Sequence, residues 1–197
     1  MTLVLLLTAL VTSESFSART SNASANQRKA TRMEESPSSD QANGPDYLHR
    51  WPGLFIRQGD QIVEAPPEDV EVAKRYPIFA NKGTVVQGRR ITIMCRATTY
   101  HVGEPVRVVH VLEVLEPGQK IFVMGPKAIY GEYVDDHLMT PAAPDPAQAY
   151  DGRVLDSPGV DYNYDISQYR FSQPGKHKIY WQMGEVRSNT LEIVIGQ

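Results

Sequence analysis

The sequence predicts an all-β protein, an antiparallel β-sandwich with one short helix and a disordered N-terminal leader. Three observations lead to this fold class. In four stretches of the C-terminal half, apolar residues recur at every second position, as in strands with one buried and one solvated face. Gly and Pro interrupt the chain between these stretches. Only one segment has the features of a helix, so a sandwich is favoured over an α/β enzyme fold.

The N-terminal residues 1–18 are interpreted as a signal-like segment. Thr2 to Val11 form an apolar run, which is much shorter than the roughly 20 residues of a membrane-spanning helix. Small residues follow this run, as at a peptidase cleavage site. Residues 19–45 are polar and charged, with Met33 as the only large apolar side chain, so we expect a disordered linker. These features predict a secreted or periplasmic protein without a stable membrane anchor.

Two local elements are expected in residues 46–84, which we interpret as an N-terminal extension. Leu54–Arg57 and Gln61–Glu64 flank a Gln-Gly-Asp turn, which is typical of a hairpin. Glu68–Arg75 carries its acids early and its bases late, which complements the dipole of a short helix. The β-sandwich domain is then expected over residues 85–197.

The alternating stretches define the predicted sandwich. Residues between the apolar positions, such as Thr92 and Lys178, are expected on a wet outer face. Shorter strand candidates are 120–124, 129–134 and 160–171. The apolar positions that share a face are Ile91, Ile93, Cys95 and Ala97; Val106, Val108, His110, Leu112 and Val114; His177, Ile179, Trp181 and Met183; and Leu191, Ile193 and Ile195.

The only cysteine, Cys95, lies within the first of these stretches. One cysteine allows no internal disulfide, so the fold must be stabilised by burial of apolar surface. Reactive thiols need partial exposure and nearby positive charge. We therefore expect Cys95 to be buried and unreactive.

The C-terminal stretch Tyr169–Gly196, YRFSQPGKHKIYWQMGEVRSNTLEIVIG, resembles the last hairpin of immunoglobulin-like or fibronectin-like sandwiches of secreted proteins. In both, an aromatic residue and a Pro-Gly turn lead into an alternating strand, a short turn and a terminal strand. The stretches 91–99 and 106–115 resemble two earlier strands of such a domain. The resemblance covers residues 85–196 and implies an immunoglobulin-like β-sandwich. It implies no single function, because sandwiches of this shape have many.

Charge excludes one class of partner. The 197 residues contain 20 Lys and Arg against 23 Asp and Glu, a net charge of −3. A chain without a basic excess has little to neutralise the phosphates of a nucleic acid, so no nucleic-acid partner is expected. No Gly-rich phosphate loop and no G-x-S-x-G motif is present.

The most distinctive segment, residues 131–170, has eight Asp and Glu but only two Arg, and tyrosines are interleaved with the acids. Tyrosine rings offer contact area with a polar tip, and carboxylates accept hydrogen bonds from sugar hydroxyls or basic side chains. We therefore predict a non-enzymatic binding module for a protein or carbohydrate ligand; the alternative is an ordinary solvated face. The predicted ligand-binding residues are Tyr133, Asp135, Tyr150, Asp151, Tyr162, Tyr164, His101 and His137.

A calcium site is a further hypothesis for this segment. Asp161, Asn163 and Asp165 alternate as in the opening of a calcium-binding loop. The helix-loop-helix motif is excluded, because its sixth and twelfth positions, normally Gly and Glu, are Ile166 and Ser172. A looser site that uses Asp161, Asn163 and Asp165 on one face of a strand remains open.

Two other functions are kept as alternatives. The first is a metal-dependent hydrolase with histidines and carboxylates of segment 101–165, in which His101 and His137 would meet a carboxylate in one cleft. The second is a structural accessory domain of a larger envelope assembly.

Overall fold

The computed structural model describes residues 44–123, 125–140 and 153–197. The signal-like segment, nearly all of the linker, Tyr150 and Asp151 lie outside these residues. Within them, no helix has both the length and the apolar character needed to cross a membrane.

Strands dominate the described residues, accompanied by one α-helix and two short 3₁₀ turns. Helix α1 spans Pro67–Lys74, and the 3₁₀ turns span Asp46–His49 and Tyr76–Ile78. The strands in chain order are β1 Phe55–Gln58, β2 Gln61–Glu64, β3 Arg89–Met94, β4 Thr99–His101, β5 Pro105–Val114, β6 Lys120–Phe122, β7 Glu132–Val134, β8 His137–Leu138, β9 Val154–Asp156, β10 Gly159–Asp161, β11 Ser167–Arg170, β12 Gly175–Met183, β13 Val186–Arg187 and β14 Leu191–Gly196.

These elements confirm the predicted fold class: a mainly β protein with antiparallel sheets and one short helix. The predicted hairpin appears as β1 and β2, and the predicted helix as α1, each within one residue of the expected bounds. Pro67 at the start of α1 costs nothing, because the first N–H groups of a helix have no intrahelical partner.

Two sheets form the body of the molecule. In the four-stranded sheet, β5 pairs with β3 on one side and with β10 and β11 on the other. The six-stranded sheet has the order β4-β14-β12-β7-β8, with β13 also paired to β12. All these pairs are antiparallel except β4 with β14. Two small sheets, β1-β2 and β6-β9, complete the structure.

The main core lies between the two large sheets. It receives the alternating apolar residues of β3, β5, β12 and β14, as the period of two predicts. Fully buried members include Ile93, Val108, Ile179, Trp181 and Ile193.

The opposite face of the four-stranded sheet is not wet, contrary to the prediction. Thr92, Val109, Val111 and Glu113 are all buried there. Residues 46–84 pack directly onto this face and form a second core with it. The predicted wet outer face is therefore wrong for β3 and β5, because the N-terminal layer covers it.

Buried polar contacts attach this N-terminal layer to the sheet. Tyr47 and Tyr76 donate hydrogen bonds of 2.6 and 2.7 Å to the two oxygens of Glu113. Arg107 of β5 binds the buried carboxylate of Asp69 in α1 through two nitrogens. Since both carboxylates are almost fully buried, these contacts fix the layer in one position.

The stretch predicted as one strand over 90–99 is divided between the sheets. The chain leaves the four-stranded sheet after Met94 and joins the six-stranded sheet at Thr99. The free edge of β3 is covered instead by a side chain: the amide of Asn189 bonds both the N–H and the C=O of Ile93, at 2.9 and 3.0 Å. Such covering prevents a foreign strand from pairing at this edge.

Candidate functional site

The outer face of the six-stranded sheet carries a continuous row of large side chains. Tyr180 of β12 lies opposite Tyr133 of β7, and their stacked rings have centroids 4.8 Å apart. The guanidinium of Arg187 in β13 lies 3.8 Å from the centroid of the Tyr180 ring. Leu138 of β8 lies opposite Tyr133 and is 59% exposed. We call these four residues, Arg187, Tyr180, Tyr133 and Leu138, the aromatic row.

Strand alternation explains why these side chains face outward. Ile179 and Trp181 enter the main core, so Tyr180 between them lies on the opposite face. The same rule applies to Tyr133, whose neighbour Glu132 points into the interior. Gly131 permits the close approach of β7 to β12: its φ is +78°, and an added Cβ would lie 2.1 Å from the carbonyl oxygen of Gln182.

The turn between β7 and β8 is held by one carboxylate. Asp135 and Asp136 both have positive φ, 50° and 64°. The Asp135 carboxylate accepts hydrogen bonds from Nδ1 of His177 at 2.7 Å and from the N–H of Lys178 at 2.8 Å. Nδ1 of His137 donates to the backbone oxygen of Asp135 at 2.8 Å. These contacts attach the β7–β8 hairpin to β12.

The two carboxylates of the turn, Asp135 and Asp136, differ in their electrostatic role. Partial burial would raise the pKa of Asp135, but the hydrogen bonds from His177 and from the Lys178 N–H lower it below its ordinary value. The pKa of Tyr180 is raised by desolvation and by the charge of Asp136. Asp135 is thus occupied within the fold, whereas Asp136 adds negative charge beside the aromatic row.

A buried polar cluster lies beneath Tyr133, between the two sheets. Glu132 of β7 accepts hydrogen bonds from Nε2 of His110 at 2.9 Å, from Tyr169 at 2.7 Å and from the hydroxyl of Ser167. Burial would raise the pKa of Glu132, but the charge and hydrogen bond of His110, with the two hydroxyls, lower it below the ordinary value. The ring of Trp181 packs edge-on against His110. The cluster ties β7 to β5 and β11 across the interior.

Of the predicted ligand-binding residues, Tyr133, Asp135 and His137 all lie in the β7–β8 hairpin, but His137 lies opposite Val134, on the face away from Tyr133. The structure does not bring His101 to them. His101 lies in β4, at the opposite edge of the six-stranded sheet, and its Nδ1 contacts the backbone oxygen of Gln197. Four strand spacings separate β4 from β8, which amounts to about 19 Å. His101 and His137 therefore do not meet in one cleft, as the hydrolase hypothesis requires.

Tyr162 and Tyr164 do not belong to an exposed surface, contrary to the prediction. They are 1% and 7% exposed, and they enter different cores. The chain bulges between β10 and β11, where Lys127 forms an isolated bridge with Tyr164. This bulge breaks the alternation, so the two rings point to opposite sides of the sheet.

One of the three residues of the calcium hypothesis, Asp161, is already paired within the fold. Asp161 is 1% exposed, and its carboxylate pairs with the ammonium of Lys127. The other oxygen accepts the N–H of Asn163 at 2.9 Å. The described residues contain no group of three His, Cys, Asp or Glu side chains placed to hold a metal ion. Asp161 is thus already paired, whereas the buried side-chain amide of Asn163 has no hydrogen bond within the described residues, and a calcium site at Asp161, Asn163 and Asp165 stays a prediction.

Sequence reasoning missed the partners of Tyr133 in the row: Tyr180, Arg187 and Leu138. One signal was present, since the alternation in Lys176–Met183 already places Tyr180 on the outer face. Arg187 and Leu138 lie in strands of two residues, which are too short to show a period.

Comparison of the chain with protein-family models, with curated proteins and with solved structures finds no match.

Proposed function

We propose that the protein is a non-enzymatic binding module that recognises a protein or a carbohydrate through the aromatic row and the adjoining turn of Asp135 and Asp136. The observation that carries this proposal is the row itself. It crosses four neighbouring strands on the face that points away from the core, and it ends in a leucine that is 59% exposed. Tyrosine and arginine are enriched among the residues that carry most of the binding energy of protein interfaces.

The rigid setting of the row also supports binding. Tyr180 is held between Tyr133 and Arg187, and the Glu132 cluster anchors β7 from below. Rings that are already ordered lose little conformational entropy on contact with a partner. Tyr180 itself is only 9% exposed, so the contact area comes from Arg187, Tyr133 and Leu138, which Tyr180 holds in order.

We also infer that the sandwich is of the immunoglobulin-like or fibronectin-like type. Immunoglobulin domains place strands A, B and E in one sheet and C, F and G in the other. Here β3, β5 and β11 share one sheet, and β7, β12 and β14 share the other, in the same chain order. An experimental structure with a different strand order would refute this assignment.

Secretion or export to the periplasm completes the proposal, and it rests on the apolar run at Thr2–Val11. Expression of the full chain in an exporting host, followed by cell fractionation, tests it. A variant without residues 1–18 is the control and should remain in the cell. Equal distribution of the two proteins would contradict export.

The binding proposal is tested on paired arrays of glycans and of extended peptides. The purified chain is compared with the variant Tyr133→Ser and with Ile62→Ser, a control at an exposed residue in β2. Probes bound by the natural chain should be lost with Tyr133→Ser and retained with Ile62→Ser. Probes that bind all three proteins equally would show that the row is not the contact surface.

A further inference from the structure

We propose that the outer edge of β8 binds an extended segment of a partner protein, which adds one strand to the six-stranded sheet. The segment carries an apolar side chain opposite Leu138 and a basic side chain two residues away, beside Asp136. This inference rests on the proposed function and narrows its partner to a polypeptide.

Backbone geometry identifies the binding edge. The N–H of Met139 bonds the carbonyl oxygen of Glu132 at 2.8 Å, so the polar groups of Met139 point toward β7. Backbone direction alternates along a strand, so the N–H and C=O of Leu138 point away from β7. Within the described residues, β8 is the terminal strand of its sheet, and Leu138 has no strand partner on this side. An added strand would form its two backbone hydrogen bonds there.

The edge strand β3 of the four-stranded sheet and the edge strand β8 of the six-stranded sheet differ in how they are covered. At β3, the amide of Asn189 occupies the backbone groups of Ile93 that a foreign strand would use. At β8, the edge residue is a leucine with 59% of its surface exposed. Exposed apolar edges favour pairing with another chain, and proteins normally block them. Of these two edges, the edge at Leu138 is the one that stays open within the described residues and is therefore suited to strand addition.

The geometry of the row favours a polypeptide over a sugar. Sugars stack on the free face of an aromatic ring, but Tyr133 covers Tyr180 on one side and Arg187 covers it on the other. The remaining face of Tyr133 is directed toward Leu138, its cross-strand neighbour. An added strand extends the row with its own side chain, as cross-strand pairs do within a sheet.

The charge of Asp136 favours a basic side chain in the partner segment. Asp136 lies in the turn directly before β8, two residues before Leu138, so the partner position two residues from the one opposite Leu138 lies at the turn end of β8, next to Asp136. Asp136 is exposed, and its charge already raises the pKa of Tyr180. The neighbouring carboxylate of Asp135 is used within the fold, where it accepts hydrogen bonds from His177 and the Lys178 N–H. The Asp136 carboxylate hydrogen-bonds Tyr180 but forms no ion pair within the described residues, so a Lys or Arg of the partner would complement its charge.

A second copy of this chain fits the edge less well. If Leu138 of a second copy lay opposite Leu138, the residues two positions away would be Asp136 and Thr140, and neither is basic. A second copy therefore lacks the basic side chain that would complement Asp136. A self-association through β8 is nevertheless a measurable outcome, and it would overturn the proposal.

The probe is a fluorescein-labelled peptide of sequence Gly-Thr-Phe-Thr-Arg-Thr-Gly, and its affinity for the full chain is measured by fluorescence anisotropy up to about 1 mM. In one control peptide, Glu replaces Arg. In a second control peptide, the Phe nitrogen is methylated, which removes the donor to the Leu138 carbonyl. Each change should weaken binding about tenfold, the loss of one hydrogen bond or ion pair.

Protein variants separate the two features. Asp136→Asn, which tolerates positive φ, should abolish the preference for Arg over Glu in the peptide. Leu138→Asp should abolish binding, whereas Ile62→Asp, at an exposed residue of β2, should not. Unchanged circular dichroism and Trp fluorescence show that each variant is folded.

The outcomes distinguish this inference from the proposed function. No binding of the Arg peptide, or binding insensitive to N-methylation and to Asp136→Asn, overturns the added strand. If glycan probes still require Tyr133 in that case, the binding module stands and its partner is a carbohydrate. A dimer in light scattering that Leu138→Asp dissolves would assign the edge to a second copy instead.

Discussion

Removal of the Glu132 carboxylate tests the interior on which the candidate site depends. The variant Glu132→Ala deprives three buried donors of their acceptor: Nε2 of His110 and the hydroxyls of Ser167 and Tyr169. A buried donor left without its acceptor costs about 1–3 kcal/mol, so the loss of an acceptor shared by three buried donors should cost about 3–5 kcal/mol in all. Glu132→Gln keeps the shape and can still accept from some of these donors, so it should cost about 1–3 kcal/mol.

Urea unfolding measures these losses. Trp181 packs on His110 and is 1% exposed, so its fluorescence reports the state of the same interior. With a urea dependence of about 2 kcal/mol per molar, the midpoint for Glu132→Ala should fall by about 2 M. Glu192→Ala, at an exposed glutamate of β14, is the matched control and should change the free energy of unfolding by less than about 0.5 kcal/mol.

The pH dependence of unfolding is an independent test of whether the ionised Glu132 stabilises the fold. Because the folded-state pKa of Glu132 lies below the ordinary value of 4.5, its ionised form stabilises the fold at every pH above that value. The contribution is lost as the pH falls from 4.5 through the folded-state pKa. The difference between the natural chain and Glu132→Gln should therefore shrink in acid. Equal midpoints for Glu132→Ala and Glu192→Ala at neutral pH would refute the argument.

Three further predictions follow from buried contacts. Asn189→Ala should lower the free energy of unfolding by about 2–4 kcal/mol in urea titration, because the N–H and C=O of Ile93 lose their partners; an unchanged midpoint would show that the edge of β3 needs no cover. Tyr76→Phe should cost about 1–3 kcal/mol in the same assay, since Glu113 loses one of its donors; Tyr130→Phe, at an exposed ring, is its control. Burial raises the pKa of the Cys95 thiol, so a thiol reagent at neutral pH should label it only when urea unfolds the chain, and fast labelling of the native protein would contradict its burial.

Much of the fold was readable because each strand of the main core has one face directed inward. Ile91 and Ile93, or Ile179 and Trp181, differ by two positions and enter the same core. The helix and the first hairpin were readable from local signals, namely charge order and turn residues, which do not depend on the rest of the chain. These features are properties of short segments, and sequence patterns report such properties well.

The burial of the second face of the four-stranded sheet by the N-terminal layer could not be predicted from such local patterns. Alternation assigns one apolar face and leaves the other to solvent, yet Val109 and Val111 on that other face are apolar too. Near-continuous apolar runs are typical of strands buried on both faces. The partner of that face, residues 46–84, supplies buried apolar residues such as Leu54 and Val72 at positions that follow no strand period. It is also attached by the hydrogen bond of Tyr76 to Glu113 and by the pairing of Asp69 with Arg107, which no periodicity reveals.

The candidate site was predicted in part because composition indicates which residue types are present but not which way they face. Tyr133, Asp135 and His137 share one hairpin because only a short turn separates them in sequence, although His137 lies on the face opposite Tyr133. Tyr162 and Tyr164 have the same chemistry but lie in a bulge, and the fold uses them as core. Whether a tyrosine contacts solvent or the interior depends on strand register, which is set by distant pairing partners.

Strand β7 has only three residues, and the side chains on its two faces explain how it can keep the proposed recognition surface rigid. Glu132 points inward and is held by donors from β5 and β11, while the adjacent Tyr133 points outward into the aromatic row. Since neighbouring residues of a strand share one backbone, any movement of Tyr133 along the sheet would strain the buried hydrogen bonds of Glu132. The buried Glu132 carboxylate therefore limits the positions that the Tyr133 ring can take on the surface. A surface built on strands without such an anchor would have to order its rings at the moment of binding, at a cost in affinity.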